Sequence, residues 1–257
     1  MPSVSALPDH RRKLARAEFH LQEVERLTKD WLNSKAYEVS VKPDGHGALE
    51  LVGELLKPMP DSLGLVIGDA LEAMRSSLDN LAFALARKNK PSMTAEEQRH
   101  VSYPIYEAPP TSASKSIRHL APAARTDIIG LCGYPAVHAK EDDPLWLLNE
   151  TNNWDKHRAI TVAALDASNY RWEIGRATLV SPTKLGIGGP HRVKNVGDRN
   201  VFATFGVGSQ MQAQIGHALQ IVFDESLPVR DREVCGTLRW MHDHIRDTVF
   251  KALEPHL

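Results

Sequence analysis

Cysteine is almost missing from this chain. Only Cys132 and Cys235 occur among 257 residues, far apart, which excludes a disulfide framework and any closely spaced set of zinc-binding thiols. Long hydrophobic runs are missing as well, and none approaches the roughly 18 apolar residues that cross a bilayer. The opening MPSVSALPDHRRKLAR has no apolar core, so no secretory signal is expected. A reducing, cytoplasmic setting without membrane attachment follows as the expectation. A surplus of one charge is also lacking: 31 Lys and Arg against 32 Asp and Glu leave a formal charge of −1. A broad nucleic-acid footprint needs a basic surplus, so any such contact is expected to be local. Finally, there is no G-x-G-x-x-G opening a βαβ unit, no Walker loop, no H-E-x-x-H and no G-x-S-x-G. Neither a cofactor nor a metal is expected.

What is present is the pattern of an ordinary globular protein, with 42% hydrophobic and 25% charged residues. From Asp9 to about Asn33, Leu14, Ala17, Leu21, Val24 and Trp31 recur at helical spacing. The cluster His10, Arg11, Arg12, Lys13 opens this helix and reads as a solvated face. Tyr37, Val39 and Val41 then alternate, as do Leu49, Leu51 and Leu55, around a turn with two glycines; this is a hairpin, with His46 exposed in its turn. Pro60-Asp61 opens a core helix to about Asn89, striped by Ile67, Leu71, Met74, Leu78, Leu81 and Leu85. Gly64 and Gly68 lie four apart on one side of it. Each costs about 1 kcal/mol against Ala in a helix, so a neighbour is expected to approach there closely.

Residues 90–141 are proline-rich and irregular, with short helices expected over 114–120 and 123–131 and with Tyr103 and Tyr106 turned back to the core. Later, Tyr170 to Ile174, Val201 to Val207 and Ile215 to Phe223 alternate with Gly186, Gly188, Gly189 and Gly197 between them. Strands in succession without helices predict an antiparallel sheet. His217 shares an apolar strand face and reads as a hydrogen-bonded core histidine. The last helix opens near Ser226 and Pro228 and carries Val234, Leu238, Met241, Ile245, Val249 and Ala252. His242 and His244 are two apart and point to different faces, so they do not chelate one metal.

The stretch from Asp143 to Asp166 reads as one further helix, with Asp143 as N-cap and Pro144 at its first position. Asn152 and Asp155 continue the line through Leu148, Ala159 and Val162 and so face inward, while Lys156, His157 and Arg158 fan around the adjacent surface. A buried polar group without a partner costs about 1–3 kcal/mol, so the inward pair needs partners. On the helix 61–89, Arg75 and Asp79 form an i,i+4 pair with Glu72 three residues before Arg75. That pair alone is worth roughly 0.2–0.5 kcal/mol when exposed. If the two helices lie side by side, Arg75 can reach Asp155 and Arg158 can reach Asp79, an ionic network that sets helix register.

The pieces Gly68-Asp69, Met74 to Leu81, Leu145 to Asn149 and Asp155 to Arg158 resemble a family of uncharacterised bacterial proteins with strings such as LRSxLDHL and LWxLNxLxNxDKHR. The likeness covers about residues 61–165 and brings no activity with it. The first string is also similar to the R-x4-H signature of HEPN-domain proteins, many of them metal-independent RNases, often with the site at a dimer interface. That likeness implies a transition-state arginine at Arg75. The histidine position is Asn80, which is no base near neutral pH, and His157 is the residue that could replace it.

The expectation is therefore an α+β fold: a bundle-like layer of about four main helices with an N-terminal hairpin and a C-terminal antiparallel sheet. It is read as a single domain, with a helical core over about 9–166, a sheet over about 170–224 and a closing helix over about 228–254. The functional expectation is a HEPN-like helical pair that binds RNA at a local site or cleaves it without metal, through Arg75 and His157, as a homodimer. The other reading is a non-catalytic protein-interaction or ligand-binding module in which Asp79, Asn80, Asn152, Asp155, Lys156 and Arg158 form a structural network.

Overall fold

A computed structural model describes residues 7–106, 110–111, 114–131, 142–156, 158, 160–178, 184–185 and 191–257. Cys132, His157, Ala159 and the glycines of 186–189 lie outside these residues, as do the side chains of Tyr170, Trp172, Ile174, Ile215 and His217. The chain is α+β, in the order α1 (Asp9–Asn33), β1 (Tyr37–Pro43), β2 (Leu49–Leu55), α2 (Asp61–Asn89), α3 (Ala95–His100), α4 (Pro122–Leu131), α5 (Pro144–Asp155), β3 (Val162–Thr178), β4 (Lys184–Leu185), β5 (His191–Val193), β6 (Arg199–Phe205), β7 (Gln210–Phe223), α6 (Val234–His244) and α7 (Lys251–Leu253). It parts into two compact units, each assembled from separated stretches: Met1–Glu25, Gly64–Ile160 and Glu225–Leu257 in one, Arg26–Leu63 and Thr161–Asp224 in the other.

The first unit is helical. Its interior holds the α1 stripe Leu14, Ala17, Leu21 and Val24, the α2 stripe from Ile67 to Leu85, and Leu238 and Met241 of α6. Arg239 of α6 ties back to α1 by donating to Glu18 Oε2 at 2.5 Å and Glu25 Oε1 at 2.7 Å. Between α6 and α7 the last helix widens into a π-helical turn, Ile245–Phe250. That turn advances the register by one residue, so Phe250 and Leu253 are buried where simple helical spacing points Ala252 inward. The helix also starts later than Ser226 and Pro228 suggest, at Val234, because Glu233 caps it by accepting from the amides of Cys235 and Gly236. Residues 114–120 make hydrogen-bonded turns instead of a helix. The short helix α3 is closed by a capping box between Thr94 and Glu97. Tyr103 is buried as expected, whereas Tyr106 is exposed and donates its hydroxyl to Ser116 Oγ at 2.9 Å instead of turning to the core.

The second unit carries two antiparallel sheets, one ordered β1-β2-β6-β4 and the other β5-β3-β7. The hairpin β1–β2 runs in register from Tyr37 opposite Leu55 to Pro43 opposite Leu49. Its turn is held by Asp44 Oδ1, which accepts from the amides of His46 at 2.7 Å and Ala48 at 3.0 Å, with Gly45 and Gly47 at positive φ. The hairpin is not a separate feature. Leu51, Val52 and Leu55 of β2 are all buried, and the strand is paired along both edges, by β1 on one side and β6 on the other. Leu51, Phe202, Ala203 and Phe205 form the cluster that β1 and β2 cover. In the other sheet, β3 pairs with β7 from Val162 opposite Phe223 to Thr178 opposite Gln210.

Candidate functional site

The α5 helix begins as its sequence dictates. Asp143 Oδ1 accepts from the amides of Leu145 at 2.8 Å and Trp146 at 2.9 Å, and Pro144 occupies the first turn. It ends earlier than helical spacing predicts, at Asp155, and by Val162 the chain is already strand β3. Ile160, Thr161 and Val162 are β-branched, which lowers helix propensity and favours the pleated surface that β7 offers. The expected helix to Asp166 is corrected accordingly.

The two glycines of α2 are where α5 and the turn after it come close. A Cβ on Gly68 would stand 2.5 Å from Asp155 Oδ2, and one on Gly64 would fall inside 3.0 Å of the Ile160 carbonyl oxygen. One turn further along α2, buried Asn152 donates from Nδ2 to Glu72 Oε2 at 3.2 Å. Asp155, Asn152 and the Ile160 carbonyl thus face α2 from Gly64 to Glu72.

Arg75 and Asp79 lie beyond this patch and serve a different neighbour. Arg75 Nη2 donates to the Tyr103 carbonyl at 3.0 Å, and Asp79 Oδ1 accepts from the Tyr103 amide at 2.9 Å. Both main-chain polar groups of one buried residue are clamped by two side chains of α2. Arg75 Nη1 stands 3.0 Å from Asp79 Oδ1 without a hydrogen bond, so their mutual contact is ionic. Burial raises the Asp79 carboxyl above its ordinary value, with Glu72 adding to it, against the pull of Arg75, the Tyr103 amide and Lys156. Asp155 is also raised, by burial first and then by the charges of Asp69 and Glu72, against the Ile160 amide.

The remaining candidates separate. Asn80 Nδ2 donates to the Ser76 carbonyl of its own helix at 2.9 Å. Lys156 is exposed, and Arg158 sets its guanidinium over the Trp154 ring, 4.5 Å from the centroid. The bridges Arg75–Asp155 and Arg158–Asp79 are not the ones formed. Asp155 is drawn to Gly68, about two helical turns before Arg75, and Arg158 falls past the end of α5, where helical spacing no longer applies. His157 lies outside the described residues. Among the described residues no group of three His, Cys, Asp or Glu could hold a metal.

A second constellation escapes the sequence pattern. His10 is only 1% exposed. Its Nε2 stands 3.0 Å from Glu254 Oε1, and its ring meets Phe250 edge to face at 5.0 Å. Arg11 donates to Glu254 from Nε at 2.6 Å and also from Nη2. The one signal in the sequence is electrostatic: cations in a first helical turn oppose the helix dipole, so they call for an acidic partner from elsewhere. No known family model, curated protein or solved structure matches the chain.

Proposed function

We propose that this chain is a non-catalytic ligand-binding or protein-interaction module whose α2–α5 polar residues form a structural network. The observation that carries this reading is the double hold of Arg75 and Asp79 on the main chain of Tyr103. A transition-state arginine must keep its N–H groups aimed at the site where charge develops. Here Nη2 is engaged by a carbonyl and the side chain is only 15% exposed. Asn152, bonded to Glu72, and Asp155, which accepts from the Ile160 amide, follow the same logic of inward polar groups supplied with partners.

The competing reading, RNA binding or metal-independent cleavage through Arg75 and His157, makes a different demand. The test is incubation of the full chain with labelled single-stranded RNA, with and without chelator, alongside Arg75→Ala and His157→Ala. The module reading expects no cleavage by any of them and a loss of thermal stability in Arg75→Ala. Chelator-resistant cleavage that disappears in either variant, with the fold intact by circular dichroism, would overturn it.

A further inference from the structure

Apart from the α2–α5 network, the helical unit holds an open cleft of about 790 Å3 lined by Arg11, Arg246, Asp247, Lys251, Glu254 and Pro255. That volume lies within the range of small-molecule sites. Its lining carries three cations and two carboxylates, and Asp243 on Arg246 brings the charges to balance, with Lys251 the cation of the lining that has no ion pair among the described residues. The carboxylates are already engaged: Glu254 by two nitrogens of Arg11, Asp247 by Arg246 Nε at 2.8 Å and Nη2 at 2.6 Å. Arg246 Nη1 is 2.9 Å from Asp243 as well. Burial pushes the Glu254 carboxyl up, but hydrogen bonds from Arg11 and His10 outweigh it and keep the group ionised. Arg11 Nη1 takes no part in its grip on Glu254. Lys251 is exposed and reaches Asp247 through its field. The π-helical turn Ile245–Phe250 sets Arg246 and Asp247 outward over Val249 and Phe250, and such turns are frequent at functional sites.

From this geometry we propose that the cleft binds a small phosphorylated polyhydroxy compound, a sugar phosphate being the simplest. Lys251 and the outer edge of Arg11 supply the phosphate contacts, point charge and planar fork together. Asp247 and Glu254, held by their arginines, keep lone pairs that accept from hydroxyl groups. No aromatic ring lines the cleft and Pro255 is its one apolar residue, so a stacked nucleobase has no platform there.

The experiment is calorimetric titration of the full chain with glucose 6-phosphate, inorganic phosphate, glucose and a short single-stranded RNA, at low and high salt. The expected result is binding of glucose 6-phosphate that weakens with salt, weaker binding of phosphate, and none of glucose. Lys251→Ala is expected to weaken glucose 6-phosphate about tenfold, near 1.4 kcal/mol, and Lys251→Arg to restore most of it. Because Lys251 is exposed, both variants should melt with the parent chain. Absence of glucose 6-phosphate binding at millimolar concentration, or binding indifferent to Lys251→Ala and Lys251→Glu, overturns the proposal. Phosphate or RNA binding as tight as that of glucose 6-phosphate overturns the polyhydroxy assignment.

Discussion

At the scale of single residues, a substitution that improves helix propensity should still destabilise this protein. Glycine to alanine in a helix ordinarily gains about 1 kcal/mol, and Gly64 and Gly68 both sit in α2. At Gly68 the obstacle is a carboxylate at the end of a side chain; at Gly64 it is the main-chain carbonyl of Ile160, which cannot rotate away. Gly64→Ala is therefore expected to cost roughly 1–3 kcal/mol net as overpacking, and Gly68→Ala less, with the order read from urea midpoints. Equal or raised midpoints would mean that the close approach is absent. Arg75→Ala removes the hydrogen bond to the Tyr103 carbonyl and the nearest counter-charge of Asp79, for about 2–4 kcal/mol. The pH dependence follows from sign. Asp155 is raised above its ordinary 3.8, so between that value and its folded one the folded chain holds more protons than the unfolded chain, and stability falls as pH rises. Asp155→Asn, whose amide oxygen can still accept from the Ile160 amide, is expected to raise the urea midpoint at neutral pH. That gain should shrink as pH falls and vanish at about pH 2, where the carboxyl is uncharged in folded and unfolded chains alike. A variant less stable than its parent at neutral pH would refute this account. The two glycines were legible in the sequence because nothing but a close neighbour explains them in a core helix. The pairing of Arg75 with Asp79 was legible too, from its i,i+4 spacing, but the second partner of Arg75 was not, because it is a main-chain group 28 residues away.

At the scale of elements, apolar stripes locate α1, α2 and α6 correctly, since period and burial agree over many turns. Endings are harder. The residues after α5 mix helix-compatible charges with β-branched side chains, and the decision falls to pairing with β7, far along the chain. The hairpin was legible from alternation and turn chemistry, whereas its edge-to-edge union with β6 was not, because long-range pairing leaves no local period. The π-helical turn is equally silent. One extra residue in the last helix rotates everything after it by about 100°, which brings Phe250 and Leu253 to the core. Deleting exposed Thr248 should let the helix close as α with Phe250 and Leu253 still turned to the core, because one residue fewer undoes the one-residue advance. The expected result is helical ellipticity kept and a melting point close to that of the parent chain. A melting point lowered on the scale of losing a buried phenylalanine, about 3 kcal/mol or more, would show that the turn is not what sets the register.

At the scale of the whole molecule, the chain order and the two compact units do not coincide. The helical unit draws on the beginning, the middle and the end of the sequence, so composition along the chain offers no boundary to read, and a helical core followed by a sheet is the natural inference. The cluster around Glu254 shows the consequence: His10 and Arg11 find their acid 244 and 243 residues away. Within this unit α1 is held to the C-terminal segment at two levels, by Arg239 on Glu18 and Glu25 and by Glu254 on His10 and Arg11. A chain ending at Asp224 loses both ties and the apolar stripe from Val234 to Leu253. It leaves His10 without its carboxylate and the α1 stripe without the Leu238 and Met241 side of the interior. Removing so much of one core exceeds the roughly 5–15 kcal/mol by which domains are stable. The shortened chain should therefore lose cooperative melting, bind a hydrophobic dye and elute as an expanded or aggregated species. Returning the segment 225–257 as a separate peptide should restore cooperative melting in proportion to its concentration. A shortened chain that melts cooperatively on its own would mean that the C-terminal segment lies on a finished core instead of completing it.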